Sequence, residues 1–188
     1  MFTKVIISFL MCLCVTILSG CGGQLYNVAP LPSSTPPDLS VNNANSLNIV
    51  AMALDGDQSL ERFDANLPMA GVVAVDVRLI NQTAATVDPR FLKFELRIAG
   101  GKSFKAIAPK QALKRVMKFY GDRFYRLDAR QSTIDSYNAL ALPISSPIAL
   151  QEERRGLLFF EVQGNTVPIA GLTLVAAGTK PPIIVKVN

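Results

Sequence analysis

Apolar and charged side chains alternate strictly between residues 92 and 98, and this alternation constrains the fold more than any other feature of the sequence. The apolar positions are Leu92, Phe94, Leu96 and Ile98, and the charged positions are Lys93, Glu95 and Arg97. Because successive side chains of a strand point to opposite faces of a sheet, the pattern predicts a strand that is buried on one face. Runs of similar character predict six further strands, at residues 47–54, 73–80, 103–107, 157–162, 172–176 and 183–187.

Two segments between the predicted strands have the spacing of helices instead. Residues 109–120 begin at a proline and carry four apolar side chains at helical spacing: Leu113, Val116, Met117 and Tyr120. Residues 132–140 begin with a weak capping pattern and predict a second short helix. Short strands separated by turns are typical of a β-sandwich. The sequence therefore predicts a mainly β domain over residues 47–188, an antiparallel β-sandwich with a helical insertion at about residues 109–140.

The amino-terminal segment has the layout of a secretory signal. One positive charge, Lys4, and an apolar run over residues 5–17 precede the sequence Leu18-Ser19-Gly20-Cys21. The run is too short for an ordinary membrane-spanning helix. The four residues that end it resemble the lipobox of bacterial lipoproteins. The resemblance implies that residues 1–20 are a signal peptide and that Cys21 is acylated and becomes the first residue of the mature chain.

Acylation at Cys21 implies attachment to a membrane. One acyl chain binds reversibly, whereas two or three anchor stably because each buried methylene contributes about 0.8 kcal/mol. In lipoproteins of Gram-negative bacteria an aspartate after the cysteine favours the inner membrane, and here that position is Gly22. The resemblance therefore implies a protein anchored to the cell envelope, at the outer membrane and facing the periplasm.

The composition of residues 21–46 predicts a lipidated, disordered tether. The segment contains four prolines among Ser, Thr and Asn residues, and it has no lysine or arginine. This composition cannot bury enough apolar surface to offset the entropy cost of ordering the chain. Prolines also keep such a segment extended, so we expect it to hold the folded domain away from the bilayer.

Three pieces of the predicted strands share the pattern of a known class of domains. They are Leu79-Ile80-Asn81, Phe91-Leu92-Lys93-Phe94-Glu95-Leu96-Arg97 and the stretch from Gly156 to Val162, which has the form Gly-x-x-x-Phe-Glu-Val. These pieces resemble immunoglobulin-like domains of secreted bacterial lipoproteins. The resemblance implies an immunoglobulin-like β-sandwich. It implies nothing about activity, because most of those domains have no assigned role.

The chain contains no histidine, which excludes many kinds of catalysis. The commonest metal ligand is missing, and so are the Ser-His and Cys-His nucleophile arrangements. An enzyme of this composition would depend on lysine, tyrosine or paired carboxylates in a deep pocket. Asp55-Gly56-Asp57 lacks the further oxygen ligands of a calcium loop and predicts a turn after the first strand. The sequence therefore predicts a protein that is not an enzyme and has no cofactor and no metal.

Positive charge is concentrated in one part of the sequence. Residues 90–130 hold twelve basic and three acidic side chains, whereas residues 21–89 hold two basic and seven acidic ones. Lysines recur every four residues through the helix predicted at 109–120, and aromatic residues interleave with basic ones just after it. The candidate binding residues are Lys110, Lys114, Arg115, Lys118, Tyr120, Arg123, Tyr125 and Arg126.

Three interpretations of this basic block remain open. The first is a contact surface for an envelope protein partner, with the domain as a non-enzymatic accessory module. The second is binding of an anionic lipid or envelope glycan, in which cations neutralise phosphates and aromatic rings stack on sugars. The third is structural: the helix docks its apolar side on the sheet while its lysines meet water, and Tyr120 and Phe124 face the core. No nucleic-acid partner is expected for a lipid-anchored protein.

Overall fold

The computed structural model describes residues 25–32, 46–122, 127–162 and 170–187. Within these ranges the chain forms seven strands and three α-helices. The strands are β1 (Leu47–Ala53), β2 (Val72–Asn81), β3 (Lys93–Arg97), β4 (Ser103–Ile107), β5 (Glu153–Glu161), β6 (Leu172–Ala177) and β7 (Ile183–Val187). The helices are α1 (Gly56–Phe63), α2 (Pro109–Tyr120) and α3 (Leu127–Leu140), and a short 3-10 helix covers Pro89–Phe91. All seven predicted strands and both predicted helices are present, and α1 is an additional helix.

The strands form one antiparallel sheet with the order β1-β2-β5-β4-β3-β6-β7. Strand β4 joins its two halves, because Lys105 lies opposite Glu95 of β3 and Ala106 lies opposite Phe160 of β5. The outermost strands, β1 and β7, approach each other, so the sheet is nearly closed. The mainly β class is confirmed. The immunoglobulin-like sandwich is not confirmed, since all seven strands belong to the same sheet.

The interior of the nearly closed sheet is the main hydrophobic core. In β3, Phe94 and Leu96 are buried inside. Lys93 and Arg97 lie exposed on the outer face of the same strand. The alternation between residues 92 and 98 thus places every second side chain in the core, as it predicts. Strand β1 follows the same rule with the inward residues Leu47, Ile49, Ala51 and Ala53.

A second hydrophobic cluster lies on the outer face of β2 and β5, where the helices pack. Phe63 of α1, Tyr137 of α3 and Phe159 of β5 are at most 1% exposed there. The ring of Tyr137 stacks on Phe159 with a centroid distance of 5.7 Å, and its centroid lies 4.9 Å from that of Phe63. Strand β5 is therefore buried on both faces, as its nearly continuous apolar run predicts.

Helix α1 begins where the sequence analysis predicts only a turn. Asp55 is its N-cap: the carboxylate accepts a hydrogen bond from the Gln58 N–H at 2.8 Å. The Gln58 side chain accepts one in return from the Asp55 N–H at 3.1 Å. This reciprocal capping box satisfies main-chain donors that the start of a helix leaves unpaired. Asp55-Gly56-Asp57 is therefore a helix start, and the Asp55 carboxylate serves as its cap.

Residues 25–32, within the predicted tether, lie against the helical layer. Tyr26 is 6% exposed and belongs to the second hydrophobic cluster. Hydrogen bonds fix the main chain of this segment at both ends. Leu25 donates to Thr133 at 2.8 Å, and Ala29 donates to the Arg62 oxygen at 2.8 Å. Arg62 donates to Pro30 at 2.5 Å, and Arg155 donates to Pro32 at 2.6 Å. Residues 21–24 and 33–45 of the predicted tether lie outside the described residues, and so does the predicted signal peptide.

Candidate interaction surface

Helix α2 positions most of the candidate binding residues. Pro109 occupies its first turn, where no main-chain N–H is needed. The helix ends at Gly121, whose φ of 77° lies in the left-handed region that glycine adopts without strain. One side of the helix packs on the sheet, with Ala112, Leu113 and Val116 at most 1% exposed.

The opposite side of α2 presents three lysines, which we call the lysine row: Lys110, Lys114 and Lys118. All three are exposed. None of them forms an ion pair with another residue in the described ranges. Residues four apart lie on the same helix face and about 6 Å apart along its axis, so the three charges are close together. The lysine row is therefore a concentrated positive surface.

Arg115 has a different role from the lysine row. Its Nε donates to the main-chain oxygen of Ala70 at 3.1 Å and lies 3.7 Å from a carboxylate oxygen of Glu161. These two groups lie where β2 begins and β5 ends, so Arg115 ties α2 to the sheet. Its half-buried side chain is a structural contact of the helix.

Phe119 and Tyr120 form an exposed aromatic pair at the end of α2. They are 41% and 43% exposed, and their rings meet edge to face with centroids 5.0 Å apart. The Tyr120 hydroxyl accepts a hydrogen bond from the Asn66 N–H at 2.9 Å, which fixes this ring at the surface. The other candidates lie outside the described residues: Cys21, Arg123, Tyr125 and Arg126, together with Phe124.

A buried ion pair on the outer face joins β2 to β5. Asp76 is 5% exposed, and its carboxylate lies 2.7 Å from the Arg155 guanidinium. The hydrogen bonds that Arg155 donates to the Asp76 carboxylate raise the pKa of Arg155. Because Arg155 also donates to Pro32, the pair holds both strands and the docked amino-terminal segment.

Half-buried carboxylates near the strand ends serve local structure. Glu152 accepts hydrogen bonds from Arg154 at 2.9 Å and from the Ala149 N–H at 2.7 Å, and these bonds lower the pKa of its carboxyl group. Hydrogen bonding from Arg90 lowers the pKa of Asp88 in the same way. The described part of the chain contains no cluster of three or more His, Cys, Asp or Glu side chains that could hold a metal ion.

A groove that the sequence analysis does not predict runs between β1 and β7. Its volume is about 820 Å³. Residues 46–51 and 183–186 line it, together with Thr83, Val87 and residues 179–182. Only the strand pairing shows that β1 and β7 are the two ends of the sheet. The sequence signal for β7 as an edge is Pro181-Pro182, because proline donates no hydrogen bond to a ladder.

Comparison with protein-family models, with curated proteins and with solved structures finds no match. None of the helices in the described ranges combines the length and hydrophobicity needed to cross a bilayer. Function is therefore inferred from the residues of this chain.

Proposed function

We propose that this protein is a lipid-anchored protein of the bacterial cell envelope that acts, without catalysis, as an interaction module for an envelope partner. The sequence Leu18-Ser19-Gly20-Cys21 supports the anchor, with acylated Cys21 as the first mature residue. Gly22 supports the outer membrane as the location. The absence of histidine supports a non-catalytic role.

The observation that carries the contact surface is the two-sided arrangement of α2. Its apolar side is already buried on the sheet, so that side is not available to insert into a bilayer. The lysine row on the other side is exposed and has no ion-pair partner among the described residues. Three neighbouring cations repel one another, and an acidic partner surface relieves that repulsion.

Reversing the charges of the lysine row tests this surface. The variant carries Lys110→Glu, Lys114→Glu and Lys118→Glu, and tagged chain is purified from membranes with its co-purifying proteins identified by mass spectrometry. We expect partner recovery to fall about ten-fold or more, because three attractive contacts become repulsive. The Tm should change by no more than about 2 °C, since exposed charges contribute little to stability.

The matched control reverses three exposed lysines outside α2: Lys93, Lys102 and Lys105. It changes the net charge by the same amount, so it separates a local contact from a general response to charge. Equal loss of the partner in both variants contradicts the proposed surface. A fall in Tm of more than about 5 °C in the lysine-row variant contradicts it as well, because the row is then a structural element.

Binding of an anionic lipid or envelope glycan is the second candidate function, and the exposed pair Phe119 and Tyr120 favours it. The pair directly follows Lys118 in the chain, which places rings for stacking next to a cation for a phosphate. The test uses a Cys21→Ser variant, which has no thiol to acylate, and incubates it with phosphatidylcholine vesicles that contain or lack phosphatidylglycerol. We expect binding to the anionic vesicles alone and its loss in high salt, because salt screens exposed charges. Binding that is insensitive to salt, or equal binding to both vesicles, rules this function out for lipids.

A further inference from the structure

The β1 side of the groove is a strand edge whose main-chain groups face no neighbouring strand among the described residues. The Gln82 N–H donates to the Ser46 oxygen at 3.0 Å, and the Leu54 N–H donates to the Ala74 oxygen at 2.9 Å. Both pairs continue the β1–β2 register, and hydrogen-bonded pairs of an antiparallel ladder recur at every second residue. Even-numbered residues of β1 therefore bond to β2. The N–H and C=O groups of the odd-numbered residues point away from β2, toward the groove: Leu47, Ile49 and Ala51.

The strand directions define what fits between β1 and β7. Every neighbouring pair in the sheet is antiparallel, so the first and the seventh strand in the order run in the same direction. One further strand that runs opposite to both pairs antiparallel on each side and closes the sheet. Closing the sheet provides hydrogen-bond partners for the main-chain N–H and C=O groups at its two edges, which otherwise can pair with another chain.

Strand β7 has to move slightly to admit another strand. Some Cα atoms of β1 and β7 lie within 8 Å of each other. An intervening strand needs about 9.6 Å, which is twice the spacing between paired strands. Within the described sheet β7 pairs only with β6, and the side chain of Ile184 is 63% exposed. We expect β7 to swing outward by about 2 Å about its ladder with β6, which stays paired.

The groove lining sets the chemistry of the bound strand. The inward residues of β1 and β7 are apolar, so the bound strand needs apolar side chains at alternate positions. Lys180 and Lys186 are the charged residues of the lining, which contains no carboxylate within the described ranges. Lys180 precedes the first residue of β7, and a strand antiparallel to β7 brings its carboxyl-terminal end to that place. An acidic residue near that end complements Lys180.

We propose that the groove binds an extended segment of a partner protein by strand addition, at a site separate from the lysine row. The segment runs antiparallel to β1 and β7, has apolar residues at alternate positions and carries an acidic residue near its carboxyl-terminal end. Main-chain hydrogen bonds to both edges supply affinity, and the alternating side chains supply specificity.

Two synthetic peptides test the proposal on the full chain. The probe is Thr-Val-Thr-Val-Thr-Val-Thr-Asp, and the control has the same side chains with every valine N-methylated, which removes the donors along one edge. We expect the probe to bind and the control to bind about ten-fold more weakly or less, because strand addition depends on main-chain hydrogen bonds. Equal binding of both peptides, or no binding of the probe, overturns the proposal.

Amide hydrogen exchange locates the bound peptide. In the free chain the even-numbered amides of β1 should exchange slowly and the odd-numbered ones quickly, because only the even set bonds to β2. The bound probe should slow the exchange of the odd-numbered β1 amides about ten-fold or more and leave the exchange of the even-numbered amides unchanged. Slow exchange of the odd-numbered β1 amides in a dilute sample of the free chain would mean that other residues of the same chain occupy this edge. Slow exchange that appears only at high protein concentration would mean that a second copy of the chain occupies it. Either result overturns the proposal.

The charge of Lys180 tests the direction of the bound strand. Lys180→Glu should weaken the probe about five-fold and strengthen a peptide that ends in lysine, since one exposed charge pair is reversed. The matched control, Lys102→Glu in the β3–β4 turn, should bind both peptides as the unmodified chain does. No effect of Lys180→Glu, or the same effect in both variants, contradicts the assigned direction.

Discussion

Strands β5 and β7 belong to the same sheet and are both rich in apolar residues, yet their environments differ completely. β5 pairs with β2 and β4, the helices cover its outer face, and Gly156 to Phe160 are all buried. β7 lies at the end of the sheet, pairs with β6 alone in the described residues, and leaves Ile184 63% exposed. The same residue types are therefore buried on both faces of β5, whereas in β7 only the inner face is packed and the outer face is exposed at Ile184.

This difference separates the part of the chain that stabilises the fold from the surfaces proposed for binding. The face of β2 and β5 under the helices holds the aromatic cluster and the buried ion pair. The exposed side chain of Ile184 on β7 and the lysine row contribute little packing within the described residues. Substitutions should therefore separate into two groups, with large losses of stability on the helix-covered face and small ones at the outward-facing residues of β7 and on the outer side of α2.

Truncating the aromatic cluster should have the largest effect. Phe159→Ala removes a ring that contacts Phe63 and Tyr137, and it should lower the free energy of unfolding by about 3–5 kcal/mol. Ile184→Ala, on the exposed side of β7, should change it by less than about 0.5 kcal/mol. Urea unfolding followed by circular dichroism measures both. Similar losses in the two variants would remove the distinction between β5 and β7.

Breaking the buried ion pair should come next. Asp76→Asn removes the negative charge from a side chain that is 5% exposed and pairs with the Arg155 guanidinium, so we expect the free energy of unfolding to fall by about 3 kcal/mol. Glu153→Gln is the matched control, because Glu153 pairs with Arg78 at 2.6 Å on the same two strands but is 41% exposed. The free energy of unfolding of Glu153→Gln should fall by less than about 1 kcal/mol. An equal loss of stability in Glu153→Gln and Asp76→Asn would contradict the larger role assigned to the buried pair.

Gly156→Ala should have a smaller but distinct effect. A Cβ at Gly156 would collide with the main chain of Leu142, which cannot rotate away, so we expect a loss of about 1–3 kcal/mol. A Cβ at Gly56 would meet only the Asn66 side chain, at 2.6 Å, and this amide can move. Gly56→Ala should therefore be nearly neutral by thermal unfolding. A neutral Gly156→Ala would show that the Leu142 segment does not pack on β5 as described.

The smallest effect concerns the hydroxyl of Tyr137. This group is buried and has no hydrogen-bond partner among the described residues, so Tyr137→Phe should be neutral or stabilising by up to about 1 kcal/mol. Burial raises the pKa of Tyr137 above its ordinary value of 10.0. Above about pH 10 the unfolded chain releases this proton more readily than the folded one, so stability falls as pH rises. Unfolding measured from pH 8 to 11 should show a shallower decline for Tyr137→Phe, and an identical decline would contradict the raised pKa.

Much of the local structure was predictable because it depends on neighbouring residues. Strands β4 and β7 and helix α2 have the predicted bounds, since period-two alternation and the proline at position 109 are local signals. Helix α1 was not predicted, because Asp55-Gly56-Asp57 suits a turn as well as a cap. The Gln58 side chain that completes the capping box distinguishes the two. The single sheet was not predictable, because the pairing of β4 with β5 joins residues far apart in the chain.

The candidate surface was predictable in part for the same reason. Spacing by four residues places Lys110, Lys114 and Lys118 on one face, and their exposure follows once the opposite face is buried. The structural contact of Arg115 with Ala70 depends on tertiary packing, and no local pattern shows it. The groove depends on which strands end the sheet, so local sequence patterns do not predict it either.

Every proposed partner depends on the proposed acyl anchor, because the anchor would determine where the chain is held. The most direct test is the intact mass and amino-terminal analysis of the mature chain isolated from its native membranes. We expect Cys21 to be the first residue and the mass to include two or three acyl chains, which together hold the protein stably. An unmodified amino terminus, or mature chain released into the medium, would contradict it.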